Sequence, residues 1–230
     1  MIPLRDDNPS HRLPVVTYAL IAANVAAFLY EKSLGPGMRP LFEHWGLVPY
    51  RVIASFVGDG SITAQLTTVF TSLFLHAGWL HLIGNLWYLW IFGDNVEDRL
   101  GHTAFLLFYL ASGVVAALMH AGLVADSVVP TVGASGAIAG VLGAYAFSFP
   151  RAKVLTLVPL IVFFKVMSLP AMLVLGLWFV FQFISGALST SGGGGVAWGA
   201  HIAGFMFGFI MMSILKRRRV ERPSDVTMLP

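Results

Sequence analysis

Cysteine is absent from the 230 residues. That excludes disulfides, thiolate nucleophiles and cysteine-ligated metals. Charge is scarce as well: Asp, Glu, Lys and Arg make up 11% of the chain, against 57% hydrophobic residues. A soluble chain of this length has too little interior for so much apolar surface, so the class is integral membrane protein. No repeat of fixed period and no second, soluble domain are visible. The net charge of +3 does not point to nucleic acid, because the basic residues gather at the ends of apolar runs.

Those runs are the dominant feature. A helical span takes about 20 apolar residues to cross roughly 30 Å of hydrocarbon. Six stretches qualify or come close: Pro14–Tyr30, Trp79–Gly93, Thr103–Leu123, Val129–Phe149, Leu169–Leu188 and Val196–Leu215. The fold class expected is therefore an all-α integral membrane protein, a bundle of six transmembrane helices. Residues 1–13 read as a cytoplasmic N-terminal segment, 14–215 as the six-span body and 216–230 as a basic cytoplasmic tail. Charge bias sets the orientation. Arg5, Arg12, Arg99, Arg151, Lys153, Lys165 and the run KRRRVER (Lys216–Arg222) fall inside, while only Lys32, Arg39 and Arg51 fall outside. Both termini are then cytoplasmic, and the compact multi-pass form suits a bacterial inner membrane. Pro14–Tyr30 reads as a retained span rather than a signal peptide, since Asp6 and Asp7 precede it and its apolar run is long.

Two connections carry structure of their own. Glu31 to about Val69 mixes leucines and aromatics with the turn signals Gly35-Pro36-Gly37 and Gly58-Asp59-Gly60, which suggests short helices in the outer headgroup zone. Val154–Pro170 reads as a similar, proline-broken stretch on the inner side. SGGGG (Ser191–Gly195) reads equally as a linker or as a cap over the sixth span; whether that loop or the first span acts as a gate stays open.

Polar residues inside the runs are few, and none is Asp or Glu. They are His81 and Asn85 in the second run, Ser135 in the fourth and His201 in the sixth, with Asn24, His120 and Gln182 read as core or interface. Runs two, four and six all enter from the outside. At ~1.5 Å per residue, His81, Asn85, Ser135 and His201 fall ~3–10 Å beneath the outer surface. An intramembrane ionisable group is costly and marks a functional site by default. His81 and Asn85, four residues apart, share a helical face. Ser135 sits at the start of its helix, where backbone N–H groups are unpaired and the dipole is positive. Gly133, Gly136 and Gly140 flank the serine; Gly199, Gly204 and Gly208 flank the histidine. Such small surfaces let two backbones approach closely enough for a serine–histidine hydrogen bond. A buried neutral imidazole could then take the serine proton. With no carboxylate in any run, the arrangement is a dyad. Asn85, His81 and the Ser135 N–H would donate to an oxyanion.

HAGWLHLIGN (His76–Asn85), GASGAIAG (Gly133–Gly140) and AHIAGFMFG (Ala200–Gly208) together resemble the three signatures of the rhomboid family of intramembrane serine proteases. The resemblance implies Ser135 as nucleophile, His201 as base, Asn85 and His81 as oxyanion stabilisers and His76 as a supporting residue. Gly133 and Gly136 belong to the serine signature. It implies cleavage of substrate transmembrane helices near their outer ends, with transmembrane proteins and the lipid bilayer as partners, and no cofactor, metal or nucleic acid. Two departures stand out. Many members have Trp-Arg in the first loop, where this chain reads TAQLTTVF (Thr63–Phe70). Some have a tyrosine four residues after the serine, stacked on the histidine, where this chain has Ala139.

Rival classes fit less well. A zinc protease needs H-E-x-x-H, which HAGWLH lacks, and an aspartyl intramembrane protease needs two buried carboxylates. A transporter or channel is expected to show inverted repeats and an intramembrane charge. An inactive relative that only binds membrane helices would have no need of both Ser135 and His201.

Overall fold

The computed structural model describes residues 1–159, 163–188 and 197–215. The basic run Lys216–Arg222 and the SGGGG loop lie outside the described residues. In chain order, β1 (Ile2–Asp6) precedes α1 (Val15–Ser33), and the short helices α2 (Met38–Trp45), α3 (Pro49–Phe56) and α4 (Ile62–Thr71) follow. Then come α5 (Trp79–Leu100), α6 (His102–Leu123) and α7 (Ser135–Ser148). The hairpin β2 (Lys153–Pro159) and β3 (Phe164–Pro170) leads into α8 (Ala171–Leu188), and α9 (Trp198–Ile214) closes the described chain.

The fold is mostly helical, and each expected run contains one longer helix. By length and composition α1 and α6 suffice to cross a bilayer, and α4 with α5 would make a third crossing if that pair, bent by 83°, counts as one. Ser135–Ser148, Ala171–Ile184 and Trp198–Ile214 are apolar but shorter. Large apolar side chains such as Leu80, Trp90, Leu107 and Phe181 are exposed on the outer faces, as lipid-facing surfaces require.

The all-α expectation is overturned by a three-stranded antiparallel sheet of order β1-β2-β3. Val154–Pro170, expected as short interfacial helices, is its hairpin: Val154 pairs with Leu169 and Leu157 with Val166. Burial alternates along KVLTLVP, with Val154 and Thr156 buried and their neighbours partly exposed, the period of a half-buried strand. Pro159 and Pro170 end the strands, where a missing N–H costs least. The third strand is the N-terminal segment itself, with Ile2 opposite Leu157 and Asp6 opposite Val154. Side chains fasten it to the bundle. Trp87 Nε1 donates to Pro3 O at 2.6 Å, Tyr145 Oη to Asp6 Oδ2 at 2.5 Å, and Asn8 Nδ2 to Asn95 Oδ1 at 2.6 Å.

At the centre stands α7, buried without a break from Gly136 to Ala146, as a helix apolar on every side must be. Its tightest neighbour is α9. A Cβ added to Gly204 would strike Gly136 O, and one on Gly208 would strike Gly140 O. The two backbones are in contact, as the small residues on both helices predict.

Two buried carboxylates lie just past the ends of the expected apolar runs, where the helices continue beyond them. Glu31 and Glu97 are fully buried within α1 and α5. Each is matched by donors: the His76 N–H reaches both Glu31 oxygens at 3.1 and 3.3 Å. Glu97 accepts from the Val16 and Thr17 N–H groups and from Thr17 Oγ1. Helix α1 thus begins on the Glu97 carboxylate, which satisfies its unpaired N–H groups and its positive dipole end.

Candidate active site

Ser135 opens α7, half-buried, and His201 is buried near the start of α9. Their junction is short: His201 Nε2 lies 2.7 Å from Ser135 Oγ. The close seam between α7 and α9 makes this possible, because a side chain at Gly204 would press on Gly136 O and hold the two helices apart.

The approach to Ser135 is built by the first loop. Leu47 and Thr131 exchange backbone hydrogen bonds at 3.1 and 2.7 Å, and the Gly133 N–H donates to Ser72 O at 2.8 Å. This anchoring answers the missing Trp-Arg. Thr71, just after TAQLTTVF, donates from Oγ1 to Trp45 O at 2.6 Å, and Arg51 Nη1 donates to Glu43 O at 2.7 Å. The loop holds short helices, as its composition suggests.

Gly133 must be glycine on two counts. Its φ is +128°, a conformation that L side chains rarely adopt. A Cβ there would also lie 2.7 Å from both Cε1 and Nε2 of His81, and 3.7 Å from Asn85 Nδ2. Both side chains of the second run therefore line the space over Gly133, two residues before the serine. Asn85 is held from behind. Its Nδ2 donates to His76 Nε2 at 3.0 Å, and His76 Nδ1 donates in turn to Phe74 O at 3.3 Å. The rings of His76 and His81 meet edge to face, 5.1 Å apart. His76 is completely buried, so it reaches Asn85 and the loop backbone rather than solvent.

One comparison decides the family. The Rhomboid domain model matches residues 63–218, more than half of the chain, and takes in His76, His81, Asn85, Gly133, Ser135 and His201. The chain belongs to the rhomboid family. Among curated proteins it is 28% identical over 218 residues to the mitochondrial Rhomboid protein 1 of Saccharomyces cerevisiae, covering 89% of this chain and 56% of that one. It is 33% identical over 135 residues to the Rhomboid protease GluP of Bacillus subtilis, 58% of this chain and 24% of that one. To the putative rhomboid protease YdcA of the same organism it is 39% identical over 89 residues, 38% of this chain and 44% of that one. The chain thus spans about half the length of its yeast relative and less of these two. Curated rhomboid relatives are mitochondrial and chloroplastic as well as bacterial.

In this rhomboid the residues singled out from sequence converge. Ser135, His201, His81, Asn85 and Gly133 meet in one place, His76 backs it, and Gly136 lies in the seam beneath. Sequence reasoning left Gln182 on α8 as core or interface; its Oε1 lies 2.7 Å from His201 Nδ1. The same reasoning missed Trp178 and Trp198, whose ring centroids stand 6.0 and 6.2 Å from that of His201. The signal available was small: in the apolar stretch of α8 up to Ile184, Gln182 is the one amide, and polar side chains in such a helix rarely go unpartnered.

Proposed function

We propose that this rhomboid is an intramembrane serine endopeptidase, cutting transmembrane helices of other proteins near their outer ends. The observation that carries the reading is the 2.7 Å contact between His201 Nε2 and Ser135 Oγ. It supplies a weak nucleophile with the base it needs.

In the proposed reaction a substrate helix enters laterally beside α8 and unwinds. Ser135 Oγ attacks a peptide carbonyl while its proton passes to His201 Nε2. The oxyanion accepts hydrogen bonds from Asn85 Nδ2, His81 and the Ser135 N–H, the last at a helix N-terminus. His201 returns the proton to the leaving amine, and water, activated by the same ring, releases the acyl group. Gly133 keeps the space over the serine open. No metal or cofactor enters the scheme. The chain is taken to cross the membrane six times, by α1, α5, α6, α7, α8 and α9, with both termini cytoplasmic, in a bacterial inner membrane. The short apolar helices suit a bundle whose site is sunk below the surface.

The test is cleavage of a single-span reporter in liposomes by wild type, Ser135→Ala and His201→Ala. The reading expects one cut near the outer end of the reporter helix. It expects a fall to background without the serine, and ~10³-fold or more without the histidine. Undiminished cutting by Ser135→Ala would end it. A transporter, or an inactive relative that only binds helices, would leave the reporter intact.

A further inference from the structure

The base is held from both sides. One ring nitrogen of His201 faces Ser135; the other, Nδ1, lies 2.7 Å from Gln182 Oε1. Gln182 and His201 are both buried, with 6% and 7% of their surface exposed. Burying an amide in an apolar helix costs free energy unless it is hydrogen-bonded, so Gln182 and its partner are a matched pair.

We infer that Gln182 is the positioning residue of the base, fixing the tautomer and the ring plane of His201. The inference rests on the reading of Ser135 and His201 as nucleophile and base. Neutral imidazole carries one N–H, and the hydrogen bond at one nitrogen decides which. A carbonyl oxygen at Nδ1 accepts only, so the proton sits on Nδ1. The lone pair of Nε2 then faces Ser135 Oγ, ready to receive its proton. With the other tautomer Nε2 would carry the hydrogen and could take nothing from the serine.

Ring orientation follows from the same contact. Trp178, inclined at 36° to the imidazole, and Trp198, at 90° to it, wall the ring from two directions. A gripped Nδ1 leaves no free rotation about the Cβ–Cγ bond. These three residues take over the orienting task of the tyrosine that Ala139 replaces. In serine hydrolases an aspartate does this work, and also stabilises the charged ring; the substitution that favours the wrong tautomer costs about 10⁴-fold in kcat. A neutral amide supplies tautomer and orientation with only a dipole toward the charge. Because Gln182 belongs to α8, the alignment of the base also depends on where that helix stands.

The experiment compares wild type, Ser135→Ala, Gln182→Leu and Gln182→Glu in liposomes with a single-span reporter, reading kcat, KM, the pH–rate profile and thermal stability. Gln182→Leu removes the acceptor at similar volume. It is expected to lower kcat ~10- to 1000-fold with KM little changed, and to lower the melting temperature by a few degrees because the buried Nδ1–H loses its acceptor. Gln182→Glu keeps an acceptor and is expected to restore activity. Its acid limb should move to higher pH, since a carboxylate beside the ring favours the protonated form. A purely packing role predicts that Gln182→Leu keeps the wild-type kcat. The inference is overturned if Gln182→Leu stays within about twofold of wild-type kcat while Ser135→Ala is inactive. It is overturned equally if the glutamate variant is no more active than the leucine one. Should the leucine variant fail to fold, Gln182→Met, unbranched and of similar volume but with no oxygen acceptor, takes its place in the same comparison. If Ser135→Ala cuts like wild type, the underlying serine reading has failed, and this inference falls with it.

Discussion

Ser135, Asn85 and Gly133 illustrate how little chemistry a membrane site needs when each polar atom has an assigned neighbour. Asn85 spends one N–H on His76, which fixes the amide and leaves a second N–H on an atom that lies 3.7 Å from where a Gly133 Cβ would stand. Under the proposed mechanism Asn85 is a preorganised oxyanion donor, which yields a quantitative expectation. Asn85→Ala should lower kcat by about 10²–10³-fold with little change in KM, because the donor acts on charge that develops only in the transition state. Steady-state kinetics on a single-span reporter check it, and a rise in KM at constant kcat would show that Asn85 merely binds substrate. Most of these residues were legible in the sequence, since each is a polar exception in an apolar run. Gln182 was equally exceptional but lacked a signature around it, so its partner could only be found in three dimensions.

Helices α7 and α9 carry the site because their backbones touch. Gly208 has no room for a Cβ against Gly140 O, whereas Gly176 on α8 has open space around its missing Cβ. Gly208→Leu should therefore force the seam apart, costing about 1–3 kcal/mol or more and dropping the melting temperature by several degrees. Cleavage should be lost with it, because the Ser135–His201 contact sits on that seam. Gly176→Ala serves as the control and should be neutral or slightly stabilising, by reducing the freedom of the unfolded chain. Equal effects of the two substitutions in a thermal melt would contradict the packing account. The glycine spacing announced this seam before any coordinates. The sheet was not announced in the same way. Val154–Pro170 is short, apolar and beside a membrane, where a broken helix and a strand look alike unless the partner strand is known. That partner, Ile2–Asp6, lies some 150 residues earlier in the chain and carries only five residues of pattern.

For the molecule as a whole, the N-terminal strand makes stability depend on pH. Burial pushes the Asp6 carboxyl up to about 6 from an ordinary 3.8, although the Tyr145 hydroxyl donates to it. The folded protein therefore holds that proton to higher pH than the unfolded chain. The contribution is fully present below about pH 3.8, is lost as pH rises to about 6, and is flat beyond. Melting temperatures in detergent from pH 4 to 7 should show that decline in wild type and a shallower one in Asp6→Asn. Parallel curves would mean the carboxyl does not titrate in this window. The gross class followed from composition, but the lengths of the crossings did not, because helices sunk around a polar site need not span the full hydrocarbon. The buried Glu31 and Glu97 were hidden for a related reason: each lies at the edge of an apolar run and is matched by backbone donors that no side-chain pattern reveals. The claim on which everything else depends is that His201 makes Ser135 a nucleophile, and covalent labelling tests it most directly. Wild type, Ser135→Ala and His201→Ala, reconstituted in liposomes, would be treated with a fluorophosphonate and digested for mass spectrometry. The account predicts one adduct, on Ser135, in wild type, none in Ser135→Ala, and labelling slowed by orders of magnitude in His201→Ala. Equal labelling of the wild type and the His201 variant, or an adduct on a different residue, would contradict it.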